Sequence, residues 1–218
     1  MTLDNWPKYI QKYLFLLKDD FFKLPYLFNS PKIMLESILK LPITNHAPLK
    51  QLISFNTALC KAKMYYREIE DGFWILEVDM SVKENIVTKS RYDKNELSEY
   101  YLLTFSVFEY KFSFKDSQEI LLLSTCWTFS KPETEVSSYF YKGTTGKFFS
   151  FAIRKDWVDK NFSSKKFQHR KAIRNFLNGK KGSYIWLDIA PQAHNIAKEI
   201  SIILKNVDDI QSDRARLK

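Results

Sequence analysis

Between Tyr139 and Phe149 the sequence reads YFYKGTTGKFF, and its centre has the residue types of a phosphate-binding loop. Such a loop needs two glycines five positions apart, then lysine and a serine or threonine, placed between a strand and a helix. That spacing lets backbone amides surround the phosphate while the hydroxyl reaches a metal ion. Gly143 and Gly146 are only three positions apart, and Lys147 is followed by Phe148. The aromatic flanks favour strand on both sides. The run is therefore expected to be a turn: a β-hairpin in which Gly143 opposes Gly146, Phe140 faces Phe149, Ser138 faces Phe151 and Val136 faces Ile153.

Other chemistry-bearing residues are sparse. His46, His169 and His194 are the only histidines, and no His-x-His pair with a following glutamate is present, so no metal site is expected. Cys60 and Cys126 lie far apart without zinc or redox spacing, as expected for buried thiols in a reducing compartment. There is no Gly-x-Ser-x-Gly elbow, and neither cysteine has a histidine beside it in sequence. Asp19-Asp20 and Asp208-Asp209 are expected to be solvated acids at loops or helix ends. The sequence thus implies no catalysis and no cofactor.

Charge is distributed unevenly. The net charge is +9. Arg154 to Lys181 carries ten Lys/Arg against Asp156 and Asp159, a balance of 10 − 2 = +8, which leaves 9 − 8 = +1 for everything else. On a helix predicted over 163–178, Lys166, Arg170 and Arg174 fall at i, i+4 and i+8 as one basic stripe. A DNA-recognition helix requires a second packed helix across a short turn, whereas this one leads into SYIWLDI, a strand pattern. The stripe is expected to be a solvated face. Contact of Lys166, Arg170 and Arg174 with phosphate or another anionic partner is the alternative.

The positioning elements follow from periodicity. Residues 1–62 have a helical pattern: Asn5-Trp6-Pro7 starts one helix, Ser30-Pro31 a second, and Pro48 to about Cys60 a third. Near Met64 the pattern changes to strands. Asp71-Gly72 is a turn signal, and Trp74, Leu76, Val78, Met80 and Val82 share one face of the strand that follows. A further strand is expected near Asn85 to Lys89. In YYLLTFSVFEYKFSF the apolar phase shifts by one residue, which predicts a bulge near Val107 or Phe108. About seven strands with flanking helices make the expected fold α+β, mainly an antiparallel β-barrel over residues 63–190. Residues 191–218 supply a C-terminal helix with Ile196, Ile200, Ile203 and Leu204 on one stripe, candidates for self-association. Phe105, Trp127, Phe140, Phe149 and Phe151 are candidate pocket residues, since barrels of this size can hold one small molecule; ordinary core packing is the competing role. MTLDNWPKY does not have the pattern of a signal peptide, and the longest aliphatic run, Ile120 to Leu123, is far short of a membrane span. A cytoplasmic protein without membrane contact is expected.

The segments YYREIEDGFWILEVDMSVKENI, SEYYLLTFSVFEYKFSF, CWTFSKP, YFYKGTTGKFFSFAIRKDWVDKNF and DIAPQAHNIAKEI resemble, in this order, the N-terminal regulatory half of AraC-type bacterial transcriptional regulators. The resemblance covers roughly Met64 to Lys218. It implies a cupin-like barrel that senses a small-molecule effector, helices that make a homodimer, and DNA binding only through a separate pair of helix-turn-helix units, about a hundred residues that this chain does not contain. It assigns no ligand residues. A nucleic-acid or anion-binding adaptor acting through the basic helix over 163–178 is the alternative function.

Overall fold

The structure, a computed structural model, describes residues 2–113, 120–162, 171–179, 182–187 and 191–205. Helix α1, Trp6–Tyr13, starts with Pro7 in its first turn. Its Trp6 is fully buried, and the indole Nε1 donates a hydrogen bond to the Ser37 carbonyl at 2.8 Å. Helix α2, Pro31–Leu39, starts at Ser30, whose hydroxyl accepts from the Ile33 amide at 3.2 Å. Both starts are where the capping signals place them.

The rest of residues 1–62 is not helical. Strands β1 (Leu17–Lys18), β2 (Phe21–Leu27), β3 (Asn45–Ala47) and β4 (Leu52–Asn56) occupy it. The helix expected from Pro48 to about Cys60 is reduced to one 3-10 turn, Pro48–Lys50, which stops at Gln51 in the left-handed region with φ 46°. Cross-strand pairing overrides the helical spacing there. Ile53 is buried, Leu49 is exposed, and Thr57 Oγ1 fastens the next turn by accepting from the Leu59 and Cys60 amides.

The chain continues through β5 (Cys60–Glu70), β6 (Phe73–Val82), β7 (Ile86–Arg91), β8 (Tyr100–Ser113), β9 (Ile120–Ser130), β10 (Ser137–Phe140) and β11 (Thr145–Arg154). Helices α3 (Lys155–Phe162) and α4 (Lys171–Asn178), strand β12 (Ser183–Leu187) and helix α5 (Pro191–Lys205) follow. An eight-stranded sheet has the order β12-β9-β8-β11-β6-β5-β4-β3, and a four-stranded sheet the order β1-β2-β7-β10. All pairings are antiparallel except β2 with β7. The fold is α+β with mostly antiparallel sheets. Among the described residues, hydrogen bonding yields two open sheets and no closed barrel. No helix among them is long and apolar enough to cross a membrane.

The strands flanking Gly143 do not form a hairpin. β10 pairs with β7, matching Ser138 to Thr88 and Phe140 to Ile86. β11 lies between β6 and β8, so Phe149 is opposite Glu77 on one side and Phe105 on the other. The pairings of Phe140 with Phe149, Ser138 with Phe151 and Val136 with Ile153 are thus replaced by a crossing between sheets. Gly143, at φ 84°, makes that corner, donating to the Val82 carbonyl at 2.9 Å while the Thr144 carbonyl accepts from the Val82 amide at 2.8 Å. Apolar residues on both faces of β11 make either partner compatible with its alternation, so the pattern could not choose between them.

Other strand features agree with the sequence. Gly72 holds the β5–β6 turn at φ 79°, and the β8–β9 register shifts between Val107 and Tyr110. Trp74, Leu76, Met80 and Val82 are buried on one face of β6. That face, joined by Ile53 of β4 and Ala152 of β11, packs on α1, α2 and the small sheet, through Trp6, Leu24, Leu27, Ile86 and Phe140 in one cluster and Phe28 and Met34 in another. The opposite face of the large sheet carries Phe105, Phe149 and Phe151 and is covered by α5, whose Ala197 and Ile200 pack on them.

Candidate ligand groove beneath the C-terminal helix

β6 places Trp74, Leu76, Met80 and Val82 inward, which leaves Glu77 on the other face. Glu77 is nevertheless fully buried, because α5 lies over it. Its Oε1 accepts from Ser201 Oγ at 2.9 Å and from Lys147 Nζ at 3.3 Å, and Lys205 Nζ forms an ion pair with it at 3.1 Å. Lys205 also donates to Ser201 Oγ at 2.7 Å and reaches over the Tyr65 ring, 5.5 Å from its centroid. Ala197, Ser201 and Lys205 stand at i, i+4 and i+8, so one line of α5 follows the sheet from Phe149 to Tyr65.

The second oxygen of Glu77, Oε2, is buried and has no hydrogen-bond partner. A half-satisfied buried carboxylate is costly, and two lysines with about a third of their side chains exposed hold it in place (38% for Lys147, 36% for Lys205). Partial burial disfavours the Lys147 ammonium. Glu77, with Asp79 at 3.5 Å, outweighs that effect and raises its pKa above the ordinary lysine value.

Beside this ion cluster a groove of about 610 Å³ opens between α5 and the sheet, within the range of small-molecule sites. Val107, Phe149, Ala197 and Ile202 supply apolar wall, and Lys147, Lys198, Lys205 and Ser201 supply polar groups. The arrangement offers cations and a hydroxyl next to apolar surface.

The sequence-derived pocket residues are divided by the structure. Phe105, Trp127, Phe149 and Phe151 come together beneath α5. Phe105 and Trp127 rings lie 4.6 Å apart, Trp127 and Phe151 6.3 Å, and Phe151 continues to Phe73 and Trp157. They form a row of rings across the sheet, of which Phe149 also lines the groove. Phe140 is elsewhere, packed between the two sheets.

The α5 stripe is divided as well. Leu204 is buried by its own chain, Ile200 is half-buried, and Ile196 and Ile203 are about half exposed (50% and 49%). Of the basic stripe, Lys166 and Arg170 lie outside the described residues, while Arg174 is exposed on α4. α4 is followed by strand β12, paired with β9, as the sequence implied. His46 is hydrogen-bonded to the Tyr66 hydroxyl at 2.7 Å.

Glu77, Ser201 and Lys205 were not evident as site residues in the sequence. Within β6, Glu77 occupies a position that alternation assigns to solvent. The available signal was the opposite face of β11, where Phe149, Phe151 and Ile153 require a covering element. Comparison of the sequence with protein-family models and with curated proteins returns no match.

Proposed function

We propose that this chain is a non-catalytic sensing module that binds a small molecule in the groove beneath α5, in the manner of the regulatory half of an AraC-type bacterial transcriptional regulator. In this reading the two sheets correspond to the walls of a cupin-like barrel. α5 carries ligand occupancy to a second copy of the chain, and contact with DNA belongs to a separate helix-turn-helix half. The observation that carries the reading is the fastening of α5: a buried, half-satisfied Glu77 held by Ser201, Lys205 and Lys147 at the edge of an open groove. Such a contact can have two arrangements of similar energy, which is what a sensor needs.

Native mass spectrometry of protein purified from its host tests the reading. A co-purifying small molecule that is lost when Ile202→Trp fills the groove supports it. An identical spectrum for parent and variant, with no bound mass in either, removes it.

A further inference from the structure

The groove's charge and lining define what it can hold. Lys147, Lys198 and Lys205 contribute three positive charges, and their carboxylate partners Glu77 and Asp79 contribute two negative ones, so these five groups sum to 3 − 2 = +1. Each ammonium has three protons to donate. Lys205 directs its protons to Glu77 and Ser201, and Lys147 directs its own to Glu77 and Asp79, which leaves each a donor for a further acceptor. Lys198, exposed on the adjoining turn of α5, adds its own. The cations therefore reach the groove from both walls, Lys147 from β11 and Lys198 and Lys205 from α5, and are not used up by the buried carboxylate. Val107, Phe149, Ala197 and Ile202 offer a surface without donors or acceptors in their side chains.

We infer that the groove binds an organic monoanion with an apolar body, its charged head on Lys147 and Lys205 and its body along Val107, Phe149 and Ile202. A single negative charge brings that sum to zero. A dianion would leave excess negative charge beside Glu77, and a cation would meet three ammonium groups. An anionic head desolvated beside the apolar wall is held by charge-assisted hydrogen bonds, the stronger kind. This inference rests on the sensing role proposed for the groove and specifies its ligand class.

The test compares octanoate, octanol and octylammonium, equal in chain length and different in charge, by isothermal titration calorimetry on the full chain. Octanoate is expected to bind about ten-fold or more tightly than octanol. Lys147→Met, which keeps an apolar stem and removes the charge, should abolish that preference, and Ile202→Trp should weaken all binding. Octanol or octylammonium binding as tightly as octanoate, yet still weakened by Ile202→Trp, overturns the monoanion while the groove stands as a site. Octanoate binding that Ile202→Trp leaves unchanged overturns the placement of the ligand. Absence of binding by all three overturns the monoanion class. The sensing role falls separately, when Ile202→Trp also leaves the native mass spectrum unaltered.

Discussion

Ser201 donates to Glu77 at 2.9 Å across 124 positions of sequence, linking the last turns of α5 to the middle of the large sheet. The carboxylate is wholly buried, whereas its lysine partners reach solvent, so the cost of an imperfect match falls mainly on Glu77. Glu77→Gln keeps the shape and loses the charge-assisted bonds. It is expected to lower stability by about 1–3 kcal/mol, and Ser201→Ala by about 1 kcal/mol. Urea denaturation at neutral pH measures both; a Gln variant as stable as the parent would mean that water serves the lysines equally well.

Alkaline pH should unfold the protein through its tyrosines. Burial pushes the Tyr26 phenol up to about 12, and burial together with neighbouring Tyr26 raises Tyr92 further. The folded state therefore keeps protons that the unfolded chain, with Tyr near 10.0, releases. Stability from these groups is intact below about pH 10 and is lost as the pH rises through about 12. Thermal melts across this range, read beside phenolate absorbance, should show the decline, and Tyr26→Phe should make it shallower.

The two glycines with positive φ predict different costs. Gly143 and Gly72 are both in the left-handed region, so alanine at either costs about 1–2 kcal/mol from backbone conformation. A Cβ on Gly143 meets nothing within 4 Å, but one on Gly72 meets Arg154 Cβ at 3.1 Å and Arg154 Cζ at 3.2 Å. It would displace a guanidinium that pairs with Asp71 at 2.7 Å. Gly72→Ala should therefore melt lower than Gly143→Ala; equal melting temperatures would show that Arg154 moves aside freely.

Self-association, if it uses α5, must use its exposed edge. Leu204→Glu places a charge where its own chain covers it, and should cost on the order of 3 kcal/mol or more. Ile203→Glu sits on a half-exposed position and should leave the circular dichroism spectrum unchanged while reducing the sedimenting mass of a dimer. A parent that sediments as a monomer at high concentration removes the self-association.

Local signals were legible where one residue type had one physical use. Ser30 could only cap, Gly72 could only turn, and the phase shift after Val107 could only be absorbed by a bulge. Strand partnership was not legible, because β10 and β11 are apolar enough to suit several neighbours and the choice depends on distant segments. The stretch after Pro48 failed for a related reason: its helical spacing of Leu49, Leu52 and Ile53 was weaker than the pairing offered by β5. For the groove, the aromatic row could be named from alternation, but Glu77 could not. Its burial is created by a helix more than a hundred residues later.

The small sheet has a consequence for how the chain folds. It joins β2 to β7 in parallel and β7 to β10, with Ile86 opposite both Phe22 and Phe140. Until Phe140 leaves the ribosome, β7 lacks one neighbour, and the apolar sides of α1 and α2 lack the finished surface on which they rest. Loop closure over such separations is slow. Nascent chains should therefore spend much of their synthesis with adhesive N-terminal surface uncovered, a stage at which chaperone supply governs yield.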